Sequence, residues 1–198
     1  MKIPIFPLNG AVLFPGTSLP LNIFEKRYIE MVDYALSKER CIGMIQTDEE
    51  NKLYNIGCIG KIHSFSETTD GRYLISLQGT NCFKVRKELE KKHRFRLIEA
   101  EMIDFEEDRN FINEKQKNNL LEKYSKYIKV KNINLNLEEI QNIDFNQIIK
   151  FIAMISPFSD IEKQALLETK TLSDFYKKLQ SILELEIVEF NNNNKTIN

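Results

Sequence analysis

Residues 3–28 read IPIFPLNGAVLFPGTSLPLNIFEKRY, and they hold four of the chain's five prolines, Pro4, Pro7, Pro15 and Pro20, among Ile, Phe, Leu and Val. Proline removes a backbone donor and is poorly tolerated inside a sheet or a helix. The same prolines break the early apolar run, which lacks a small-residue cleavage site, so a secretory signal is not expected. The stretch runs into a helical pattern: Phe24, Tyr28, Met31, Val32, Ala35 and Leu36 recur at helical period, predicting a helix over Phe24 to Lys38. Asn22, three residues before Glu25, is placed to cap it. Glu25 and Arg27 stand two apart, a spacing that cannot meet on one helix face, so each is expected to pair elsewhere.

Beyond this stretch the chain changes character. All seven glycines fall at or before Gly79, and the sequence after Phe105 has none and only Pro157. In the first part, GKIHSFSETTDGRYLISLQG (60–79) reads as two strands joined through Asp70-Gly71, a dipeptide suited to a hairpin turn. CIGMIQT (41–47), CFKVRKE (82–88) and RFRLIEAEMIDF (94–105) read as further short strands, which together suggest a barrel or sandwich. In the second part, Leu120, Leu121, Tyr124, Tyr127 and Ile128 share a helical face. DFNQIIKFIAMIS stops at Pro157, Ser159 and Glu162 have capping-box spacing, and Thr171 opens a long last helix. NNNNKTIN (191–198) reads as a frayed tail.

Charge excludes little by sign but something by distribution. The 198 residues carry a net charge of −1, with 15 basic and 14 acidic residues up to Phe105, so there is no basic half to bind nucleic acid. The basic run RKELEKKHRFR (86–96) contains glutamates and reads as a solvated connection. Cys41, Cys58 and Cys82 are odd in number and lie in apolar, strand-like surroundings, which fits buried thiols in a reducing cytoplasm. No window approaches 18 uninterrupted apolar residues, so no membrane span is expected.

Candidate chemistry is sparse. Gly57 and Gly60-Lys61 are too close for a phosphate loop, and Ile62 stands where Ser or Thr is needed. Cys58 and His63 have no second pair at metal-ligand spacing, and neither His63 nor His93 sits in a catalytic context. No metal, cofactor or catalytic residue is therefore assigned.

The pattern P-x-F-P-L…V-x-F-P-G-x-x-L-P-L-x-I-F-E-x-R-Y, followed by MVDYAL, GCIGKIHSFSETTDGRYLISLQGTNCFKV and SPFSDIEKQALLE, resembles the N-terminal substrate-binding domain of Lon proteases. It is most similar to free-standing bacterial proteins made of that domain alone. The resemblance implies an α+β fold: a six-stranded PUA-like β pseudo-barrel with one inserted helix (1–108), then a C-terminal helical bundle (109–190) and a disordered tail (191–198). It places the first strand at the barrel rim, with the prolines at strand starts, edges and turns, and Pro15-Gly16 in a type II turn.

Full Lon proteases carry ATPase and Ser-Lys proteolytic domains after this region, where this chain ends, so the resemblance carries over neither activity. It implies a cytoplasmic, non-catalytic module for unfolded or exposed polypeptide, or an adaptor to a protease or chaperone. The alternative is an RNA-binding PUA-like protein, using Lys91, Lys92, Arg94 and Arg96. A polypeptide site needs exposed apolar surface, and Phe14, Leu21, Phe65, Tyr73 and Phe158 are its candidate residues, placed in a groove between barrel and helices.

Overall fold

The structure is a computed structural model that describes residues 1–90, 92–103, 114–137 and 143–195. Lys91, the charged run at 105–110 and the last three residues of the expected tail lie outside them.

Six strands form one sheet: β1 (Lys2–Pro7), β2 (Ser18–Ile23), β3 (Cys41–Ile45), β4 (Ile56–Glu67), β5 (Tyr73–Glu88) and β6 (Arg96–Ile103). Their order is β2-β5-β4-β3-β1-β6, and a further β5–β6 pairing closes β5, β4, β3, β1 and β6 into a ring. The length of β5 makes the closure possible. Its first half pairs with β2 from Tyr73 to Gln78, its second half pairs with β6 from Cys82 to Glu88, and β4 lies along both. CFKVRKE is therefore the continuation of the preceding strand and not a separate one.

The ring is filled by its own side chains. Ile3, Ile5, Ile45, Ile59, Phe83, Ile98 and Ala100 form one buried cluster, each on the inward face of its strand by the period-two alternation. Gly57 belongs to this packing: a Cβ there would lie 2.6 Å from the Phe83 ring and 2.5 Å from the Met44 carbonyl oxygen.

Strand β1 is not at the rim; it pairs with β6 through Lys2–Ile5 and in parallel with β3 through Ile5–Pro7. The two ladders overlap only at Ile5, which explains how two prolines fit an interior strand. Met1 and Ala100 exchange hydrogen bonds of 2.6 and 2.8 Å, so alternation places the next bonded positions at Ile3 and Ile5. Pro4 falls between them, ahead of the β3 ladder. Pro20 lies in β2, which has β5 as its only neighbour among the described residues, where a proline nitrogen facing away from the sheet costs no bond. Between them, Gly16 has φ +87° and the Thr17 amide donates to the Phe14 carbonyl at 3.0 Å, the geometry of the expected turn.

Helix α1 (Lys26–Leu36) buries Tyr28, Met31, Val32 and Ala35 and packs on β1 and β3, with the Tyr28 ring 4.2 Å from that of Phe6. It starts later than its apolar stripe suggests. Glu25 is the residue before the first turn, extended at φ −72° and ψ 130°, and Asn22 is a strand residue opposite Leu74. Because Glu25 lies outside the helix, the helix-face rule does not govern it, and Arg27 pairs with it at 2.8 Å.

The chain divides into two compact units, Met1–Phe105 with Met154–Glu168, and Glu106–Ala153 with Thr169–Asn198. A cut near residue 108 assigns 154–168 to the helices, whereas contact grouping places them with the strands. Helix α2 (Glu114–Val130), α3 (Phe145–Ile155), α4 (Asp160–Leu167) and α5 (Leu172–Lys195) complete the described elements. Helix α4 docks on the strand unit. The Gly10 amide donates to Asp160 Oδ1 at 2.9 Å, Lys163 Nζ donates to the Gly10 carbonyl at 3.1 Å, and Gln164 Nε2 donates to the Ile56 carbonyl at 3.1 Å. In the helical unit α2 packs on α5, with Tyr176 donating to the Gln116 carbonyl and ion pairs Lys123–Glu184 and Lys131–Glu186. Helix α5 runs to Lys195, five residues into the polar stretch expected as a tail.

Candidate polypeptide-binding surface

The hairpin of β4 and β5 carries Phe65 and Leu74 among the exposed apolar groups of the strand unit, which also include Met1, Phe24, Met102 and, on α4, Ile161. Its turn is a three-residue loop: the Gly71 amide donates to the Thr68 carbonyl, the Thr68 amide donates to the Arg72 carbonyl, and Gly71 alone has positive φ, +80°. Asp70 braces the tip by accepting from Thr68 Oγ1 and pairing with Arg72 at 2.8 Å. The Arg72 and Thr68 hydrogen bonds hold the Asp70 carboxyl well below its usual range, at about 2.

Register assembles the surface. Leu21 on β2 and Phe65 on β4 are both partners of Ile75, so they flank it on the same face of a three-strand array. Two residues earlier on that face, Tyr73 meets the Phe65 ring edge-on at 4.9 Å and its hydroxyl donates to Asp33 on α1 at 3.1 Å. Partial burial, then the Asp33 carboxylate, push the Tyr73 phenol up. Phe65 is 39% exposed, while Leu21 and Tyr73 are half-buried. Of the five candidate residues these three share one face. Phe14 and Phe158 do not, being 1% and 4% exposed: Phe14 is held by the turn against β5, and Phe158 lies in the linker before α4.

Two further apolar residues next to this face are exposed. Phe24 follows the last paired residue of β2 and is 68% exposed, the consequence of the helix starting only at Lys26. Leu74, on the opposite face of the hairpin, is 44% exposed. The sequence carried a signal for Leu74, since both faces of Tyr73–Leu77 begin with apolar residues, and none for Phe24, which fits the helical period.

The remaining candidates take structural places. Cys58 is fully buried and His63 exposed; among the described residues no group of His, Cys, Asp and Glu could hold a metal ion. Burial, then Glu39, raise the Cys41 thiol. The basic run joins β5 to β6, where the His93 ring stacks on Phe95 at 4.8 Å and Arg96 pairs in bidentate fashion with Glu88. No described helix is long and apolar enough to cross a membrane.

The barrel is filled with its own side chains, and Leu21, Phe65 and Tyr73 share one face of its strands. The chain belongs to the family described as the ATP-dependent protease La (LON) substrate-binding domain, which it matches over residues 2–184. Among curated relatives it is 26% identical over 201 residues to Lon protease of Buchnera aphidicola subsp. Baizongia pistaciae and 27% over 203 residues to that of Dictyoglomus thermophilum. The alignments cover 94% and 96% of this chain, which spans about a quarter (25%) of either relative's length. Among solved structures, the Lon N-terminal domain protein from Xanthomonas campestris matches with TM-score 0.68 at 20% identity. The N-terminal domain of Mycobacterium avium complex Lon protease matches with TM-score 0.60 at 15% identity. Each match covers 93% of this chain and 98% of the other.

Proposed function

We propose that this chain is a non-catalytic module that holds exposed apolar segments of unfolded polypeptide on the β4–β5 hairpin face, through Phe65, Tyr73 and Leu21 with Phe24 at its margin. The observation that carries this reading is the exposure of Phe65 beside Leu21 and Tyr73 on one face of the hairpin, in a domain of the substrate-binding family. Clustered apolar groups left in water mark an interaction surface, and register clusters these three on one face. The occupant lies on a face and does not add a strand, because Pro20 deprives the free edge of β2 of a donor. Binding is weak and tolerant of sequence, and the module serves a cytoplasmic protease or chaperone as an adaptor, hydrolysing neither ATP nor casein.

Immobilised protein should retain denatured proteins over their folded forms, and Phe65→Ser and Phe24→Ser should each lower retention. Unchanged retention by folded variants removes the hairpin face from the reading. Loss of retention on changing buried Phe158 alone would reflect loss of fold, so each variant is first compared by thermal melt.

A further inference from the structure

We infer that the strand unit has a second binding site, an oxyanion pocket at the barrel end where β1 and β3 finish and β6 begins. A cavity of about 450 Å³ opens there, lined by Arg27, Arg94 and Arg96 together with Asn9, Thr47 and Asn51, and no carboxylate among the described residues lines it. The arginines arrive from two distant segments, the first turn of α1 and the β5–β6 connection, so their meeting is a product of the fold.

Arg27 and Arg96 are each held from behind by a glutamate that does not line the cavity, and Arg94 stands near a third. Arg27 Nε and Nη2 reach Glu25 at 2.9 and 2.8 Å, Arg96 Nε and Nη2 reach Glu88 at 2.7 Å each, and Arg94 Nε stands 3.8 Å from Glu30. A guanidinium has five N–H donors, and a carboxylate on its Nε–Nη2 side leaves the Nη1 donors for another acceptor. Glu25 and Glu88 therefore orient the forks of Arg27 and Arg96, and the three glutamates offset the charge of the three arginines. The Tyr28 ring forms a floor under Arg27, 4.5 Å from ring centre to guanidinium carbon.

Oriented donors without a surplus of positive charge suit one compact oxyanion and not a polyanion. The ligand class is a small molecule bearing a phosphate or carboxylate group, since the cavity falls within the range of small-molecule sites and exceeds a bare anion. This site is separate from the hairpin face and does not rest on the polypeptide reading.

The test is a titration of the intact ¹⁵N-labelled chain with inorganic phosphate, and in a second arm with acetate, at ionic strength held constant with chloride. Saturating backbone shifts at Asn9, Thr47 and Asn51 are expected in at least one arm, and the stronger arm identifies the source. Arg94→Gln and Arg27→Gln, both on exposed side chains, should weaken that binding by roughly tenfold each, and Arg86→Gln should leave it unchanged. Shifts that fail to saturate in both arms, or that persist in the folded double variant, overturn the site. So does single-stranded RNA that binds at these residues and is not displaced by phosphate.

Discussion

Gly79 is the residue at which the proline-rich segment and the barrel are locked together. A Cβ at this position would stand 2.2 Å from the Phe14 carbonyl oxygen, and the backbone of Gly79 bonds Gly16 at 2.9 Å and Thr17 at 2.8 Å. Gly79→Ala should therefore destabilise the fold by about 2–3 kcal/mol, read in a denaturant melt; a change below about 0.5 kcal/mol would mean that the turn is not seated there. Asp70 supplies a pH-dependent counterpart. Its folded pKa is depressed to about 2, so its bracing of the hairpin is complete above the unfolded carboxylate range and is lost as pH falls through about 2. An Asp70 side-chain NMR titration should give a midpoint near that value, and a midpoint near 4 would show the brace to be absent in solution. At this scale the sequence was uneven. Asp70-Gly71 and Pro15-Gly16 announce their turns because the chemistry is local. The Glu25–Arg27 pair was hidden, because it depends on where a helix begins.

Helix α4 shows how an element far away in sequence completes the strand unit. Ser159 caps it, accepting from the Glu162 amide at 3.3 Å while Glu162 Oε2 accepts from the Ser159 amide at 2.8 Å. Gln46 Nε2 donates to the Asp160 carbonyl at 3.0 Å and to Gln164 Oε1 at 3.1 Å, and Gln164 in turn holds the Ile56 carbonyl. Ser159→Ala removes an exposed cap and should cost about 1 kcal/mol. Gln164→Leu leaves two polar partners unmatched under the helix and should cost more, about 2–3 kcal/mol. A reversed order in the two melts would mean that α4 is held by its cap and not by its glutamines. The capping box was legible from Ser159 and Glu162, whereas the docking partner was not, since no local pattern ties Gln46 to Gln164. The continuity of β5 was hidden for a related reason: Gly79 reads as punctuation, and only the approach of Phe14 explains a glycine inside a strand.

For the whole molecule, the barrel-and-helix composition was visible in the glycine and proline distribution, and the grouping of 154–168 with the strands was not. Composition reports local structure; which unit a segment joins depends on contacts across more than a hundred residues. The candidate surface divided along the same line. Leu21, Phe65 and Tyr73 fall together because strand register is periodic, whereas Phe14 lies against Gly79, sixty-five residues away, and no local pattern shows it. Recognition of non-native polypeptide is tested most directly by measuring the affinity of this chain for one client protein in two forms, native and permanently unfolded, under the same buffer. A domain that reads exposed apolar segments through its hairpin should bind the unfolded form at least roughly tenfold more tightly, a difference of about 1.4 kcal/mol, and Phe65→Ser should reduce that preference. Equal affinity for the two forms, or no binding to the unfolded one, would contradict it.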